Sequence, residues 1–476
     1  MGNIKKTFIY ILIGILVVFV LFGMKILFDF VMDRTGFGWK SEYQLQIPEV
    51  LEDQNSDPGI TEYEINVQEG QTEFITGKFA DTFGYNGSYL GPILRFTRGQ
   101  QVNVTVNNQL QVSTTLHWHG LLVDGEDDGG PMQGILAGES WSPSFMVEQP
   151  AATLWYHPHF MGTTADQVYF GLAGLIYIDD ENSDKLDLPL DYGIDDIPLI
   201  VQDRNFQSDG NFDYRTTMMG LDPGDEVIIN GTIKPFVSIS NEKIRLRILN
   251  GSNSENFNFS LSDGIGFQQI ASDGGFLEKP VSMKNLRLAP GERAEIIVDF
   301  KNVDKNSIFL LNNRKKILEF KIAEYLEKSP GITESLTSID EIPLGNNPVT
   351  RVFELESMGI NGTINGRTFD MDRIDEEVNI NETEVWIIRN IGGMMQTGGH
   401  PFHIHGTQFQ IISRDGVNPP LNERGYKDTV FVADGEEVVV RVRFNHLGVF
   451  MYHCHILEHE DSGMMGQFRV NYPDAR

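Results

Sequence analysis

Apolar and polar residues alternate along many short runs of this chain. Val102-Asn103-Val104-Thr105-Val106 is one such run, and Lys243-Ile244-Arg245-Leu246-Arg247-Ile248 is another. Val438-Val439-Val440-Arg441-Val442-Arg443-Phe444 starts apolar and then alternates. A period of two places every second side chain on one face of a strand, so each run predicts a strand with one buried face. Turn formers separate the runs, drawn from 48 glycines and 20 prolines, and no long amphipathic helix stands out. Many short strands joined by glycine-rich turns predict an all-β protein built from sandwiches.

Two acidic, poorly apolar stretches, Asp179–Asp196 and Glu324–Thr350, read as linkers. They divide the body into residues 42–180, 190–325 and 350–476, each of ordinary domain size. The three parts carry weak echoes of one another: Pro92-Ile93-Leu94-Arg95, Asn230-Gly231-Thr232 and Asn365-Gly366-Arg367-Thr368-Phe369 each precede a predicted strand. Ahead of them, residues 1–41 form a separate segment. Thr7 to Met24 is strongly apolar and free of charge, with Lys5 and Lys6 before it. Signal-peptide cores are shorter, about 7–15 residues, and end in a small-residue cleavage site, which Phe22-Gly23-Met24-Lys25 does not provide. The segment therefore predicts an uncleaved signal anchor, a transmembrane helix with a cytoplasmic N-terminus and the body outside the cytoplasm. The alternative is a cleaved signal and a secreted or periplasmic body.

Charge narrows the partners. The chain has 67 acidic and 37 basic residues and a formal net charge of −30. Such a surface repels nucleic acid, keeps the protein soluble and attracts cations. A single cysteine, Cys454, rules out intramolecular disulfides, and no cysteine follows the apolar segment that could anchor a lipid.

That cysteine stands between His453 and His455, with His459 and Met464 just beyond. Two earlier pairs are His117-Trp118-His119 and His157-Pro158-His159, and a later cluster is His400-Pro401-Phe402-His403-Ile404-His405. Ten of the eleven histidines fall in these four motifs; only His446 lies outside, and none occurs between His159 and His400. Neutral imidazole is the commonest protein ligand for transition metals. Structural zinc takes four ligands and usually several cysteines, so ten histidines with one cysteine fit a multi-copper protein better. A sulfur, imidazoles and a thioether at the C-terminal spacing are the donors of a blue-copper centre. Alternation turns Cys454 to one face of its strand and His453 and His455 to the other, so one strand can serve two metal sites. The histidines come from both ends of the body, so the sites must form where first and last parts meet, with the histidine-free middle as a scaffold between them.

The segments HWHG, HPH, HPFHIHG and HCHILEHEDSGMM, in this order, resemble the four copper motifs of multicopper oxidases, and within that family the bacterial cuprous-oxidase, laccase and bilirubin-oxidase branch. Leu90-Gly91-Pro92-Ile93-Leu94-Arg95, Tyr426-Lys427-Asp428-Thr429 and Phe444-Asn445-His446 are similar to other segments of it, and the resemblance spans roughly Glu42 to Tyr472. It implies three cupredoxin-like Greek-key β-sandwich domains and four copper ions. His400, Cys454 and His459 would bind the type 1 copper, with Met464 as the weak axial ligand. His117 and His403 would bind the type 2 copper. His119, His157 and His455 would bind one type 3 copper, and His159, His405 and His453 the other. Asp128 and Glu460 match acidic residues that the family places near the cluster, as proton carriers or as partners that orient ligating histidines.

The resemblance further implies oxidation of a substrate one electron at a time at the type 1 copper, transfer through Cys454, and reduction of dioxygen to water at the other three. An axial thioether implies a moderate potential. For the reductant, three readings stay open: Cu(I), in a copper-tolerance role; small aromatic reductants such as phenols, aromatic amines or bilirubin, or Mn or Fe ions; and a copper-binding protein without activity. The long methionine-rich insertion of the cuprous-oxidase branch is missing. Met394, Met395, Met358, Asp370 and Met371 are the candidates for an extra Cu(I) site, since soft thioethers suit that ion. The protein is expected to act as a monomer.

Overall fold

The computed structural model describes residues 39–217, 220–392 and 398–473. Residues 1–38, which include the expected anchor, lie outside the described residues, as do Met394 and Met395. Among the described residues no helix is long and apolar enough to cross a membrane.

The chain is all-β, with only two short α-helices among the described residues, Thr164–Tyr169 and Leu457–Asp461. The predicted alternating runs are strands: Gln101–Asn108, Lys243–Asn250 and Glu437–Arg443. In the first and third, buried and less buried residues alternate as the pattern requires. Lys243–Asn250 differs, because nearly every residue on both faces is buried. Its polar face does not meet water. Arg247 instead donates to Asp196, to Glu295 and to Thr153 Oγ1 of the first part, while Arg245 is held by Glu295. Charged residues that read as a solvated edge are thus buried as a paired network, as burial of charge demands.

Each third of the body packs two sheets over one apolar core. In the first, Lys78–Tyr85, Ile60–Ile75, Gln101–Asn108 and the short strands Ser140–Trp141 and Ser144–Met146 face Leu94–Thr97, Gly174–Asp179, Ala152–His157 and His117–His119. Ile65, Val104, Trp118 and Leu154 fill the space between. In the last, one sheet runs Asn361–Ile364, Val349–Met358, Thr383–Asn390, Glu437–Arg443, Gln410–Arg414. The other runs Glu376–Asn379, Met465–Asn471, Gly448–Cys454, His400–Ile404, Thr429–Val432, and Phe353, Trp386 and Phe450 lie in their shared core. The middle third stacks a seven-stranded sheet on a five-stranded one. Its last strand, Lys315–Glu327, pairs with Phe236–Asn241 and so continues past Glu324, into the stretch whose composition reads as linker.

First and last parts are joined directly. Asp461 accepts from the backbone N–H groups of Thr164 and Ala165, so an acidic side chain of the last part seals the N-terminus of the helix Thr164–Tyr169. Ala165 and Val168 pack on Leu457. At the other side of the joint Gly125 N–H donates to Leu447 O, and a Cβ on Gly125 would come within 2.7 Å of the Val449 nitrogen. Backbone meets backbone there, so nothing flexible can give way. Gly125→Ala should therefore cost about 1–3 kcal/mol in urea unfolding; an unchanged midpoint would show that the joint is looser than this contact.

Candidate metal centre

Strand register decides which histidines meet. His117 pairs with His157 and His119 with Trp155 across the first part's strands. In the last part His403 pairs with His453, and Phe402 with Cys454. Cross-strand partners share a face, so His453 and His455 look one way with His403, and Cys454 looks the other way into the sandwich core. His400 opens its strand three residues before His403 and so falls on the cysteine side. The imidazoles of the first and last parts meet across the joint: His117 stacks on His405 with ring centres 3.8 Å apart, and His119 on His403 at 3.7 Å.

Eight histidines thus form one buried cluster. Within it, His117, His403 and His405 bring ring nitrogens within 4.8 Å of one another, as do His159, His405 and His453, and His117, His119 and His157. His455 adjoins the last set, its ring centre 5.0 Å from that of His119 and 5.4 Å from that of His157. A second, smaller group is His400, Cys454 and His459. Met464 is buried in the same core as Cys454, and its carbonyl accepts from the Cys454 N–H. His446 belongs to neither group; it sits at the surface near Asp124.

In most of these rings a hydrogen bond fixes which nitrogen is free. A carbonyl or ionised carboxylate oxygen only accepts, so a ring nitrogen bonded to one carries the proton. His117 Nδ1 donates to Asp128 O at 2.9 Å, His403 Nδ1 to Asp428 O at 2.8 Å and His157 Nδ1 to Pro158 O at 2.8 Å. His405 Nδ1 donates to Asp128 Oδ2 at 2.8 Å. His453 Nδ1 donates to Cys454 O at 3.1 Å, and Glu460 lies 3.1 Å from the same nitrogen and 3.3 Å from His159 Nδ1. His119 is reversed: its Nε2 donates to Asp428 Oδ1 at 3.0 Å, which leaves Nδ1 bare.

The bare nitrogens then face one another. His159 Nε2 and His405 Nε2 each lie 3.2 Å from His453 Nε2, and His157 Nε2 lies 3.4 Å from His119 Nδ1. Two unprotonated nitrogens at that distance repel unless a cation lies between them. A tetrahedral first-row metal about 2.0 Å from each nitrogen holds them roughly 3.3 Å apart. His117 Nε2, His403 Nε2 and both nitrogens of His455 are buried without a hydrogen-bond partner. At the sulfur site, His400 Nδ1 and His459 Nδ1 lie 3.3 and 3.7 Å from Cys454 Sγ, close to the roughly 3.6 Å that a shared metal gives for one nitrogen and one sulfur ligand. The residues fit the binding of metal at both places.

Burial also prepares the donors electrically. It pushes the His400 and His455 imidazoles down to about 3, and His459 to about 4, with neighbouring imidazoles adding to the effect on the first two. His159 is likewise held at about 3 by burial, against the opposing pull of Glu460. His119, His157, His403 and His405 are held well below the usual range, first by burial and then by neighbouring imidazoles. Neutral rings with free lone pairs are what a metal requires. Burial likewise pushes the Cys454 thiol well above its ordinary value.

Among the residues anticipated from sequence, Asp128 and Glu460 both lie at the large cluster. Met358, Asp370 and Met371 are exposed at the surface of the last part. Asp428 and Thr429 were visible only as part of a family-like segment; their contacts with His119 and His403 had no signal in the sequence. Trp155, stacked on His157 at 4.0 Å, was likewise missed.

Three family models described as multicopper oxidase match this chain, at residues 66–183, 199–325 and 342–474. A multicopper oxidase, Mco, of Staphylococcus haemolyticus is 42% identical over 428 residues, which is 90% of this chain and 92% of that protein. The crystal structure of a laccase from Pediococcus acidilactici superposes with a TM-score of 0.87 at 37% identity, covering 91% of this chain and 94% of its own. A laccase-like multicopper oxidase, CueO, of Ochrobactrum gives a TM-score of 0.80 at 36% identity, covering 90% and 100% respectively.

The sealed sulfur site makes a simple expectation. In the folded, metal-free protein Cys454 should react with a thiol reagent far more slowly than in urea. Rapid titration of the native apoprotein would contradict the burial described here.

Proposed function

The chain belongs to the multicopper oxidase family and is an oxidoreductase that uses copper; on that premise we propose a four-copper enzyme that couples one-electron oxidation of Cu(I) to reduction of dioxygen. The observation that carries this reading is the pair of buried donor groups that share one strand. Cys454 belongs to the small group, and its sequence neighbours His453 and His455 belong to the large one.

In this reading His400, Cys454, His459 and Met464 hold the type 1 copper, and His117 and His403 the type 2 copper. His119, His157 and His455 hold one type 3 copper, and His159, His405 and His453 the other. Bound copper supplies one-electron acceptance at the sulfur site and four-electron reduction of dioxygen to water at the cluster. The protein supplies the rest. Cys454 gives a covalent route of a few bonds from sulfur to the cluster imidazoles. Asp128 orients His405 through Oδ2, and its buried Oδ1, which has no partner, is placed to take up a proton. Glu460, between His159 and His453, is placed to pass one on.

The outer edge of the small group supports Cu(I) as substrate. His459, 8% exposed, is the ligand candidate nearest to solvent. Met358, 59% exposed, ends a strand and pairs with Asn361, next to Gly362, which packs against the Met464 sulfur. Met371, 44% exposed, and Asp370 lie on the same part. The acidic surface draws cations toward them. A second reading is a laccase acting on small aromatic reductants: the sequence lacks the long methionine-rich insertion of the cuprous-oxidase branch, and the Ochrobactrum relative has oxidase activity towards lignin model compounds and lignosulfonate. We place the body outside the cytoplasm, as a monomer held by the apolar segment Thr7 to Met24.

Oxygen uptake by the copper-loaded protein should be faster with Cu(I) than with a dimethoxyphenol; the reverse order would favour the laccase reading, and no uptake with either would end both. Cys454→Ser should abolish the blue colour and the oxidase activity together, and retained activity would contradict the proposed electron route.

A further inference from the structure

The middle third has neither histidine nor cysteine, yet it reaches the imidazole cluster at two points. Gly291 lies in a turn of the middle part at φ +83°, and a Cβ there would sit 2.9–3.1 Å from the His455 ring. Two residues on, Arg293 begins the strand Arg293–Asp299 and is 1% exposed. Its guanidinium forks onto Asp428 of the last part, with Nη1 to Oδ1 at 2.7 Å and Nη2 to Oδ2 at 2.6 Å. Its remaining donors go to Gly291 O and Asp273 O within the middle part and to Thr153 O of the first part. An arginine has five N–H groups, and all five are used, across three parts of the chain.

Asp428 passes this order on to two imidazoles. Its Oδ1 accepts from His119 Nε2 as well as from Arg293 and Thr429 Oγ1, and its carbonyl accepts from His403 Nδ1. His119 and His403 lie nearly parallel, with ring planes 11° apart. His119 is the one ring of the cluster whose Nε2, not its Nδ1, is tied to a carboxylate. A carboxylate fixed in plane by a bidentate arginine is an acceptor only, so it selects the His119 tautomer with Nδ1 bare.

We propose that Arg293 is a positioning residue for the oxygen-reducing copper cluster, acting through Asp428 to set the tautomer of His119 and the orientation of His119 and His403. The middle part is then a wall of the cluster as well as a scaffold between the outer two. This rests on the copper reading given above. It differs from a purely structural ion pair in being selective: it acts on the cluster and leaves the sulfur site, on the opposite face of the Cys454 strand, untouched.

The test uses the full chain loaded with copper, comparing wild type, Arg293→Met, Arg293→Lys and Asp428→Asn. Three readouts are taken: the blue absorption of the sulfur site, the electron paramagnetic resonance of the type 2 copper, and copper per chain after dialysis against a chelator. Arg293→Met and Asp428→Asn should keep the blue band, change the type 2 hyperfine splitting, and lose cluster copper about 10- to 100-fold more readily. Arg293→Lys should fall between them and wild type. A wild-type resonance spectrum and chelator resistance in Arg293→Met would overturn the proposal. Should Arg293→Met not fold, Arg293→Lys decides by the same readouts. Loss of blue band and cluster signals together in Arg293→Lys would reduce the residue to a structural ion pair and overturn it too. A wild-type chain that takes up no copper would instead sink the functional reading, and this inference with it.

Discussion

Unprotonated imidazole nitrogens sealed from water and turned toward one another are the constraint on which the structure depends. Burial holds most of the cluster rings neutral, and each bonded ring nitrogen donates its proton to a carbonyl or carboxylate. What remains are bare nitrogens 3.2–3.4 Å apart, an arrangement that repels itself without a cation. A protein can keep such a group only if the surrounding backbone is rigid, since relaxation of any strand would let the rings turn away.

That rigidity comes from three sandwiches that share buried polar contacts. The helix Thr164–Tyr169 of the first part is sealed by Asp461 of the last, and Asn253 of the middle part donates to both Ala165 O and Glu458. Arg247 ties the middle sheet to Thr153, beside the strand residues that carry Trp155 and His157. Buried polar contacts of this kind each add only modest net stability, about 1 kcal/mol. Their value here is geometric, since each fixes the angle between two sandwiches whose edges carry the ligand candidates.

Much of this was legible in the chain. Period-two alternation marked the strands, and the two-residue spacing within His453-Cys454-His455 foretold that sulfur and imidazoles would face opposite ways, as the Phe402–Cys454 and His403–His453 register has it. The motif order foretold that first and last parts must touch. What could not be read was the polar face of Lys243–Asn250, which looks solvated in sequence but is buried against another part of the chain. Asp428 and Arg293 were hidden for the same reason: their partners lie 309 and 135 residues away, and no local pattern encodes such contacts. A scaffold reading of the middle part followed naturally from its lack of histidine; in the structure its Gly291 touches His455.

The proposed chemistry needs both groups of donors to fill with metal in the same molecule. The most direct measurement is total copper per chain on the purified body, taken with its visible and electron paramagnetic resonance spectra. Four copper ions per chain are predicted, one giving the blue band, one a normal paramagnetic signal, and two silent as a coupled pair. A fully loaded, folded protein that holds a single copper, or one that lacks the silent pair, would contradict it.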